Sequence, residues 1–155
     1  MKIEIPGYET LELDTLLLDY NGTVAVNGEI PDSVRERLAA LSEKFQIYIL
    51  TADTHGTAAK QCEDLNVILY TFPVGNAADY KREIVEKLGG WHCVCMGNGR
   101  NDVLMFEESA LAIAILDTEG LYAGLLLKSD ICVRTIEDGL DLLLHPKRLI
   151  ADLRG

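Results

Sequence analysis

Positive charge is scarce in this chain of 155 residues. Lysine and arginine together number 14, against 25 aspartates and glutamates, which gives a formal net charge of −11. This balance repels anionic partners such as nucleic acid or an acidic membrane surface. We therefore expect neither as a partner, whereas a local site can still bind a phosphorylated small molecule or a divalent cation.

Long apolar runs, an export signal, repeats and linkers are also missing. No apolar run approaches the roughly 18 residues of a membrane span, and the first residues lack the pattern of a signal peptide. The sequence therefore predicts a cytoplasmic, reduced protein. Its length fits one domain with its own core, so we expect residues 1–155 to form a single domain.

Cysteine is limited to four residues, and their spacing is not that of a metal site. Cys93 and Cys95 alternate within an apolar run, as small strand residues do, and Cys62 and Cys132 stand alone. A zinc site needs further Cys or His ligands at set spacings. We expect all four to be structural.

Continuous apolar runs alternate with helical patterns along most of the chain. Strands are predicted at TLLLDY, QIYILTAD, VILYTF, HCVCMG, LAIAIL and DICV, and the first two are expected to be buried. The alternation predicts an α/β fold with a three-layer, doubly wound parallel sheet. The N-terminal stretch KIEIPGYETLEL alternates around Pro-Gly and predicts a small antiparallel ribbon.

Polar residues follow three of these strands at their carboxyl ends, where doubly wound sheets bind ligands. Asp19 follows the first strand and suits a phosphate nucleophile, although a turn is the common role of Asp. The hydroxyl of Thr51 and the N–H of Ala52 could hold a phosphoryl oxygen. Thr51 could equally cap a helix, a role also open to Asp53 or Thr54.

A lysine on a predicted helix offers the balancing charge. Lys81 could reach the same rim and offset the charge of carboxylates and phosphate. The same argument applies to Lys60, Arg82 and Lys87, and a solvated surface position is the usual fate of lysine.

The segment GNGRND, which follows the fourth strand, is the most specific local pattern. Asn98, Asn101 and Asp102 supply oxygen ligands of the kind that Mg²⁺ prefers. The other explanation is a Gly/Asn-rich loop with a helix cap at Asn101 or Asp102.

The order of four segments resembles that of the haloacid dehalogenase-like (HAD) phosphohydrolase superfamily. These segments are LLLDYNGT, YILTAD, KREIVEKL and MGNGRNDVLMFEESALAIAI, from Leu16 to about Ile115. Within the superfamily the chain looks most like the soluble relatives of the phosphorylation domain of P-type ATPases. A receiver domain also uses Asp, Thr and Lys, but its acceptor Asp follows a middle strand, so the order fits less well.

The resemblance implies a Mg²⁺-dependent phosphatase that works through an aspartyl-phosphate. It implies Asp19, Thr51 and Lys81 as catalytic residues; Gly22, Thr23, Thr51, Ala52, Lys81 and Asn101 as phosphate-binding residues; and Asp19, the backbone carbonyl of Asn21, Asn98 and Asp102 as the metal site.

Two positions depart from the family pattern. Most phosphatases of the superfamily carry Asp at the position of Asn21, where it protonates the leaving oxygen and later activates water. Asn cannot titrate, and the lost acid–base help is worth about 10²–10⁴ in rate. We therefore expect slow turnover and a long-lived phospho-enzyme. With Asn98 also replacing a frequent Asp, the alternative is a weakly active or inactive phosphate- and metal-binding regulatory module.

The intervals between the segments leave no room for another domain. Asp19 and Thr51 are 32 positions apart, and Thr51 and Lys81 are 30 apart, and predicted elements fill both intervals. We therefore expect no cap domain, no nucleotide-binding insert and poor ATP affinity. An uncapped site admits water and bulky phosphorylated substrates, or a neighbouring subunit of a homo-oligomer covers it.

Overall fold

The computed structural model describes residues 1–53 and 56–155, and it confirms an α/β fold. The strands are β1 Lys2–Glu4, β2 Thr10–Glu12, β3 Thr15–Asp19, β4 Gln46–Thr51, β5 Ile68–Thr71, β6 Cys93–Gly97, β7 Leu111–Ile115 and β8 Ile131–Val133. The helices are α1 Asp32–Leu41, α2 Thr57–Cys62, α3 Ala77–Leu88, α4 Val103–Glu108, α5 Ile136–Leu144 and α6 Pro146–Leu153. Short 3₁₀ segments lie at Gly90–His92, Arg100–Asp102 and Ala123–Lys128.

Six strands form one parallel sheet in the order β5-β4-β3-β6-β7-β8. β3 lies in its interior, with Leu17 opposite Tyr48 of β4 on one side and Cys95 of β6 on the other. The chain first moves outward from β3 to β5 and then crosses back to β6. In open α/β sheets, ligands bind at this kind of reversal, outside the carboxyl ends of the strands.

The core has two layers because successive strand residues face opposite sides of the sheet. Leu16 and Leu18 belong to the cluster that includes residues of α1 and α5, and Leu17 belongs to the cluster that includes residues of α3 and α4. All three leucines are fully buried, which is worth about 1.5–3 kcal/mol for each side chain. The predicted three-layer, doubly wound architecture is therefore confirmed.

The remaining parts of the fold also follow the pattern of the sequence. β1 and β2 form the predicted antiparallel ribbon. Cys93 and Cys95 are buried and free within β6, and burial raises the pKa of the Cys95 thiol well above its usual value. Pro146 begins α6 and so separates the two C-terminal helices. Within residues 1–53 and 56–155, no helix has both the length and the apolar character needed to span a membrane.

Candidate active site

Asp19 is the last residue of β3, and its carboxylate lies where the strand enters a tight turn. The side chain is buried, with a residue exposure of 8%. The turn is closed by backbone hydrogen bonds from Val24 to the Asp19 carbonyl (3.3 Å) and from Ala25 to the Tyr20 carbonyl (2.9 Å). Gly22 has φ +73°, a conformation that glycine adopts without steric cost. The local sequence thus turns the chain directly after the carboxylate.

Lys81 reaches this carboxylate from α3. It lies four residues before Val85, so both side chains are on the same face of the helix, and both are buried. Lys81 is one turn nearer the start of α3, which follows the carboxyl end of β5. Its Nζ donates to Asp19 Oδ1 at 2.6 Å. Lys81 is 1% exposed, so it belongs to the interior, although lysine usually lies at the surface.

The three rival cations do not reach this cluster. Lys60 and Lys87 are exposed, and Arg82 pairs with Asp79 and Glu86 along the outer side of α3.

Asp102 completes the contact from the other side of β3. Its Oδ1 accepts a second 2.6 Å hydrogen bond from Lys81 Nζ. Its Oδ2 accepts from the backbone N–H groups of Asn98 (3.0 Å) and Gly99 (2.9 Å). These bonds brace the loop after β6 and fix the carboxylate, which is 0% exposed. Asp19 and Asp102 therefore converge on a single ammonium.

Gly97 makes this approach of Asp102 possible, and sequence analysis did not single it out. A Cβ at this position would lie 2.4 Å from the carboxyl carbon of Asp102. The available signal, which was not used, is a glycine at the end of a strand run and before a polar loop, since such a glycine often marks a close approach of another group.

The cluster carries two acidic groups and one basic group in a buried space. Burial raises the pKa of Asp19 to about 7, Asp102 acts in the same direction, and Lys81 opposes both. Burial lowers the pKa of Lys81, but the attraction of Asp102 and Asp19 outweighs this effect and raises its pKa above the usual value. Lys81 therefore stays charged, and one further cation would favour the ionised form of Asp19 at neutral pH.

Thr51 ends β4, the strand next to β3, and is 2% exposed. Its hydroxyl oxygen accepts a hydrogen bond from the backbone N–H of Asp53 at 3.1 Å, so its own proton remains available for donation. Asp53 Oδ2 accepts from the N–H of Ala58 in the first turn of α2 at 2.7 Å, so Asp53 rather than Thr51 supports that helix. Thr54 lies outside the described residues.

Thr23 and Asn98 connect the two loops that border Asp19. The Thr23 hydroxyl lies 3.2 Å from Asp19 Oδ2 and 3.3 Å from Asn98 Oδ1, and its single proton can serve one acceptor at a time. Asn98 Nδ2 donates to the Gly120 carbonyl at 3.1 Å. Asn98 thus also ties the rim to the loop after β7, a contact that sequence analysis did not predict.

Two further predicted residues lie at the opening of the site. Asn101 Oδ1 accepts from Lys81 Nζ at 3.3 Å, whereas Asn21 is exposed at the turn after β3. Ala52 lines the cavities beside both. The structure therefore gathers the predicted residues at one rim, with Asn21 at its outer side.

This rim presents oxygen atoms of the kind that a divalent cation binds. Within the described residues, no three Asp, Glu, His or Cys side chains come close enough together to hold an ion by themselves, and Asp19 and Asp102 are the acids of this cluster. Asp19 Oδ2 has only the Thr23 hydroxyl as a partner, and no hydrogen bond within residues 1–53 and 56–155 ends on the Asn21 carbonyl. Mg²⁺ prefers such oxygen ligands and keeps several waters.

Comparison with known sequences finds two short relatives, and no family model matches the chain. The uncharacterized protein MJ0072 of Methanocaldococcus jannaschii is 56% identical over 39 residues, which are 25% of this chain and 89% of that protein. The uncharacterized protein MJ0073 of the same organism is 43% identical over 61 residues, which are 39% of this chain and 66% of that protein, slightly less than two thirds.

Comparison with solved structures finds phosphatases whose folds match nearly the whole length of this chain. The cobalt-bound deoxy-D-mannose-octulosonate 8-phosphate phosphatase of Haemophilus influenzae has a TM-score of 0.73 at 11% identity and covers 88% of this chain and 90% of its own. The Moraxella catarrhalis 3-deoxy-D-manno-octulosonate 8-phosphate phosphatase, solved in complex with magnesium, phosphate and a KDO molecule, has a TM-score of 0.71 at 15% identity. The match covers 92% of this chain and 94% of that one. A phosphoserine phosphatase in its apo form has a TM-score of 0.70 at 16% identity, and the match covers 86% of this chain and 99% of that one.

Identities this low show a shared fold, while the match to MJ0072 covers most of that relative. The chain therefore belongs to the same protein family as MJ0072, and its fold is that of the HAD-like hydrolases.

Proposed function

We propose that this chain is a phosphohydrolase that forms an aspartyl-phosphate on Asp19 and uses Mg²⁺. The observation that carries the proposal is the contact of Asp19 and Asp102 with Lys81, each at 2.6 Å, at the carboxyl ends of the central strands. A carboxylate held in this way is positioned rather than merely solvated. Solved phosphatases with the same fold, one of them with magnesium and phosphate, support this proposal.

Asp19 acts as the nucleophile in the first step. Lys81 orients the carboxylate through its contact with Oδ1, and the carboxylate attacks the phosphorus of a phosphate ester. A bond forms between Asp19 and phosphorus, and the bond between phosphorus and the leaving oxygen breaks, with the electron pair going to that oxygen. In the second step, water attacks the same phosphorus, the bond to Asp19 breaks, and inorganic phosphate leaves.

The surrounding donors stabilise the charge that develops on the phosphoryl oxygens. Lys81 supplies a positive charge, and the Thr51 hydroxyl and the Ala52 N–H supply hydrogen bonds in a poorly hydrated place, where such groups act strongly. Bound Mg²⁺ would neutralise phosphate charge, held by Asp19, the Asn21 carbonyl and Asp102, with Asn98 nearby.

Asn21 sets the rate of this chemistry. It lies at the exposed side of the turn, where a leaving group would depart, and its amide can neither give nor take a proton. A leaving oxygen must therefore take its proton from water, and the second step lacks a base. We expect acyl phosphates and nitrophenyl phosphates, whose leaving groups need little protonation, to be the best substrates.

A second candidate function is a phosphate- and metal-binding regulatory module with little or no turnover. It is favoured by Asn21 and Asn98, which stand where the resembled phosphatases often carry Asp. The Asn98 amide contacts the Thr23 hydroxyl through Oδ1 and donates to the Gly120 carbonyl through Nδ2.

The two functions are separated by labelling and release measured together. The protein is incubated with Mg²⁺ and either radiolabelled acetyl phosphate or 4-nitrophenyl phosphate. The enzyme proposal expects label that hydroxylamine removes, as it does from acyl phosphates, together with slow product release. Asp19→Asn should abolish both, because an amide cannot form the acyl phosphate.

Asp152→Asn is the matched control, since it makes the same chemical change at an exposed position of α6. It should behave as the wild type. Wild-type protein with neither label nor release across a broad panel of phosphate esters would contradict the enzyme proposal and favour the module.

A further inference from the structure

A cavity of about 480 Å³ opens beside the catalytic cluster, and its charge is unusual for so acidic a chain. Short side chains form most of its wall, and Arg100 supplies the charge; the lining includes Ala52, Val74, Ala77, Ala78, Arg100 and Asn101. None of the described residues that line it is acidic. The cavity therefore combines an apolar wall with one cation.

Asn101 connects this cavity to the reacting group. It lines the cavity, and its Oδ1 also accepts from Lys81 Nζ at 3.3 Å. When the phosphoryl group of a substrate lies against Asp19, the rest of the substrate is therefore next to this cavity. Ala52, the predicted phosphate-binding residue after β4, lines the same space.

The Arg100 guanidinium is not engaged by any other group in the part of the chain that the structure describes. Carboxylates pair with Arg35, Arg37 and Arg82, and among the described residues Arg134, Arg148 and Arg154 are, like Arg100, without such a pair. The backbone of Arg100 belongs to the 3₁₀ segment Arg100–Asp102, whose last residue, Asp102, is buried, while the Arg100 side chain itself is exposed. An arginine without a carboxylate partner is available to bind a planar anion through two parallel hydrogen bonds.

We infer that this cavity receives the leaving group of the substrate, and that Arg100 selects phosphate monoesters whose small carbon skeleton carries a carboxylate. The inference rests on the proposed function, because it assigns the leaving group of that reaction. The apolar wall suits the carbon skeleton. A single guanidinium balances the one charge of a carboxylate, whereas a second phosphate dianion would need more than one cation here.

The test compares two esters with equal carbon number, 3-phosphoglycerate and glycerol 3-phosphate, which differ by a carboxylate in place of a hydroxymethyl group. With Mg²⁺, the wild type should show a kcat/KM at least about tenfold higher for 3-phosphoglycerate, the size expected for a hydrogen bond to a charged group. In Arg100→Gln this ratio should fall close to one, and Arg100→Lys should keep part of it. Arg134→Gln, which changes an exposed arginine after β8, should keep it in full.

Binding gives a second readout that does not need turnover. Calorimetry with Mg²⁺ compares 2-carboxyethylphosphonate with propylphosphonate, and the wild type should bind the carboxylated compound about tenfold more tightly. Arg100→Gln should bind the two nearly equally. Equal wild-type affinities, or a preference that survives in Arg100→Gln, would overturn the assignment.

The outcomes separate this inference from the proposed function. Hydrolysis of 4-nitrophenyl phosphate without preference for 3-phosphoglycerate leaves the phosphatase in place and rejects the carboxylate subsite. Absence of label and hydrolysis rejects the phosphatase, and the phosphonate pair then decides the subsite alone. A preference for propanediol bisphosphate over 3-phosphoglycerate would show that Arg100 selects a second phosphate, and would also overturn the assignment.

Discussion

Lys81→Met tests whether one ammonium holds the two carboxylates of the site together. Methionine has a similar length and fits an apolar helix face, so the change removes charge with little loss of volume. It leaves Asp19 and Asp102 buried, with 8% and 0% exposure, and without the two 2.6 Å bonds. Removing one partner of a buried ion pair costs about 3–5 kcal/mol. Total stabilities are about 5–15 kcal/mol, so the free energy of unfolding should fall by a large fraction.

The pH dependence of this loss has a defined sign. The pKa of Asp19 is about 7 even though Lys81 lowers it, and removing Lys81 should raise it further. A carboxyl whose folded pKa exceeds its unfolded value is most stabilising below the unfolded pKa, and this stability is lost as the pH rises through the folded pKa. Lys81→Met should therefore be much weaker than wild type at about pH 8.5 and closer to it at about pH 5.

The assay is urea unfolding followed by circular dichroism at both pH values with a chelator present. The single tryptophan, Trp91, is 72% exposed and would report unfolding poorly by fluorescence. Lys87→Met on the exposed side of α3 is the control and should change stability by less than about 0.5 kcal/mol. If Lys81→Met matched this control, or lost equal stability at both pH values, the proposed charge arrangement would be wrong.

Three further predictions concern single substitutions in the site. Asn21→Asp should raise turnover of alkyl phosphate esters by about tenfold or more, because it supplies a general acid; an unchanged or lower rate in a folded variant would refute this role of Asn21. Asp19→Asn removes a buried carboxylate and should stabilise the metal-free protein above about pH 7. The gain should be at most about 4 kcal/mol, the free energy that corresponds to a pKa shift from 3.8 to about 7. It should be small near pH 4, and thermal unfolding measured across this pH range checks the prediction. Gly97→Ala should cost about 1–3 kcal/mol in urea unfolding, because its Cβ would lie 2.4 Å from the Asp102 carboxyl carbon; full stability together with full activity would show that this approach is not tight.

The strands of the sheet were predictable because each is a continuous apolar run, and the parallel order follows from the helices between them. The 3₁₀ segment Ala123–Lys128 was not predicted, because GLLLK lacks both strand and helix periodicity. It is fixed by tertiary contacts instead, with Leu125 buried and the Tyr122 N–H bonded to the Asn98 carbonyl at 2.8 Å.

The candidate site was predictable as a set of segments but not as a set of contacts. Asp19 could be chosen because it ends an apolar strand run, and Asp102 because it belongs to the GNGRND segment that follows another. The residue pattern alone left Lys87 as a rival of Lys81, because both lie on the same predicted helix. The family resemblance favoured Lys81, and the structure buries Lys81 while Lys87 is exposed. The pairing of Asn98 with Gly120 joins loops far apart in the chain, and local patterns carry no signal for it.

Asn21 and Asn98, which stand where the resembled family often carries Asp, differ in how firmly their side chains are held, and this difference sets how each will age. Both precede glycine, the neighbour that best allows an asparagine to lose ammonia and become aspartate or isoaspartate. The Asn98 amide is held at both ends, whereas Asn21 projects into solvent. Spontaneous deamidation should therefore begin at Asn21, and a stored sample will slowly gain molecules that carry an acid at the mouth of the pocket. Under the proposed function, the phosphatase activity of a preparation would then depend on its age, and freshly made protein is the proper reference.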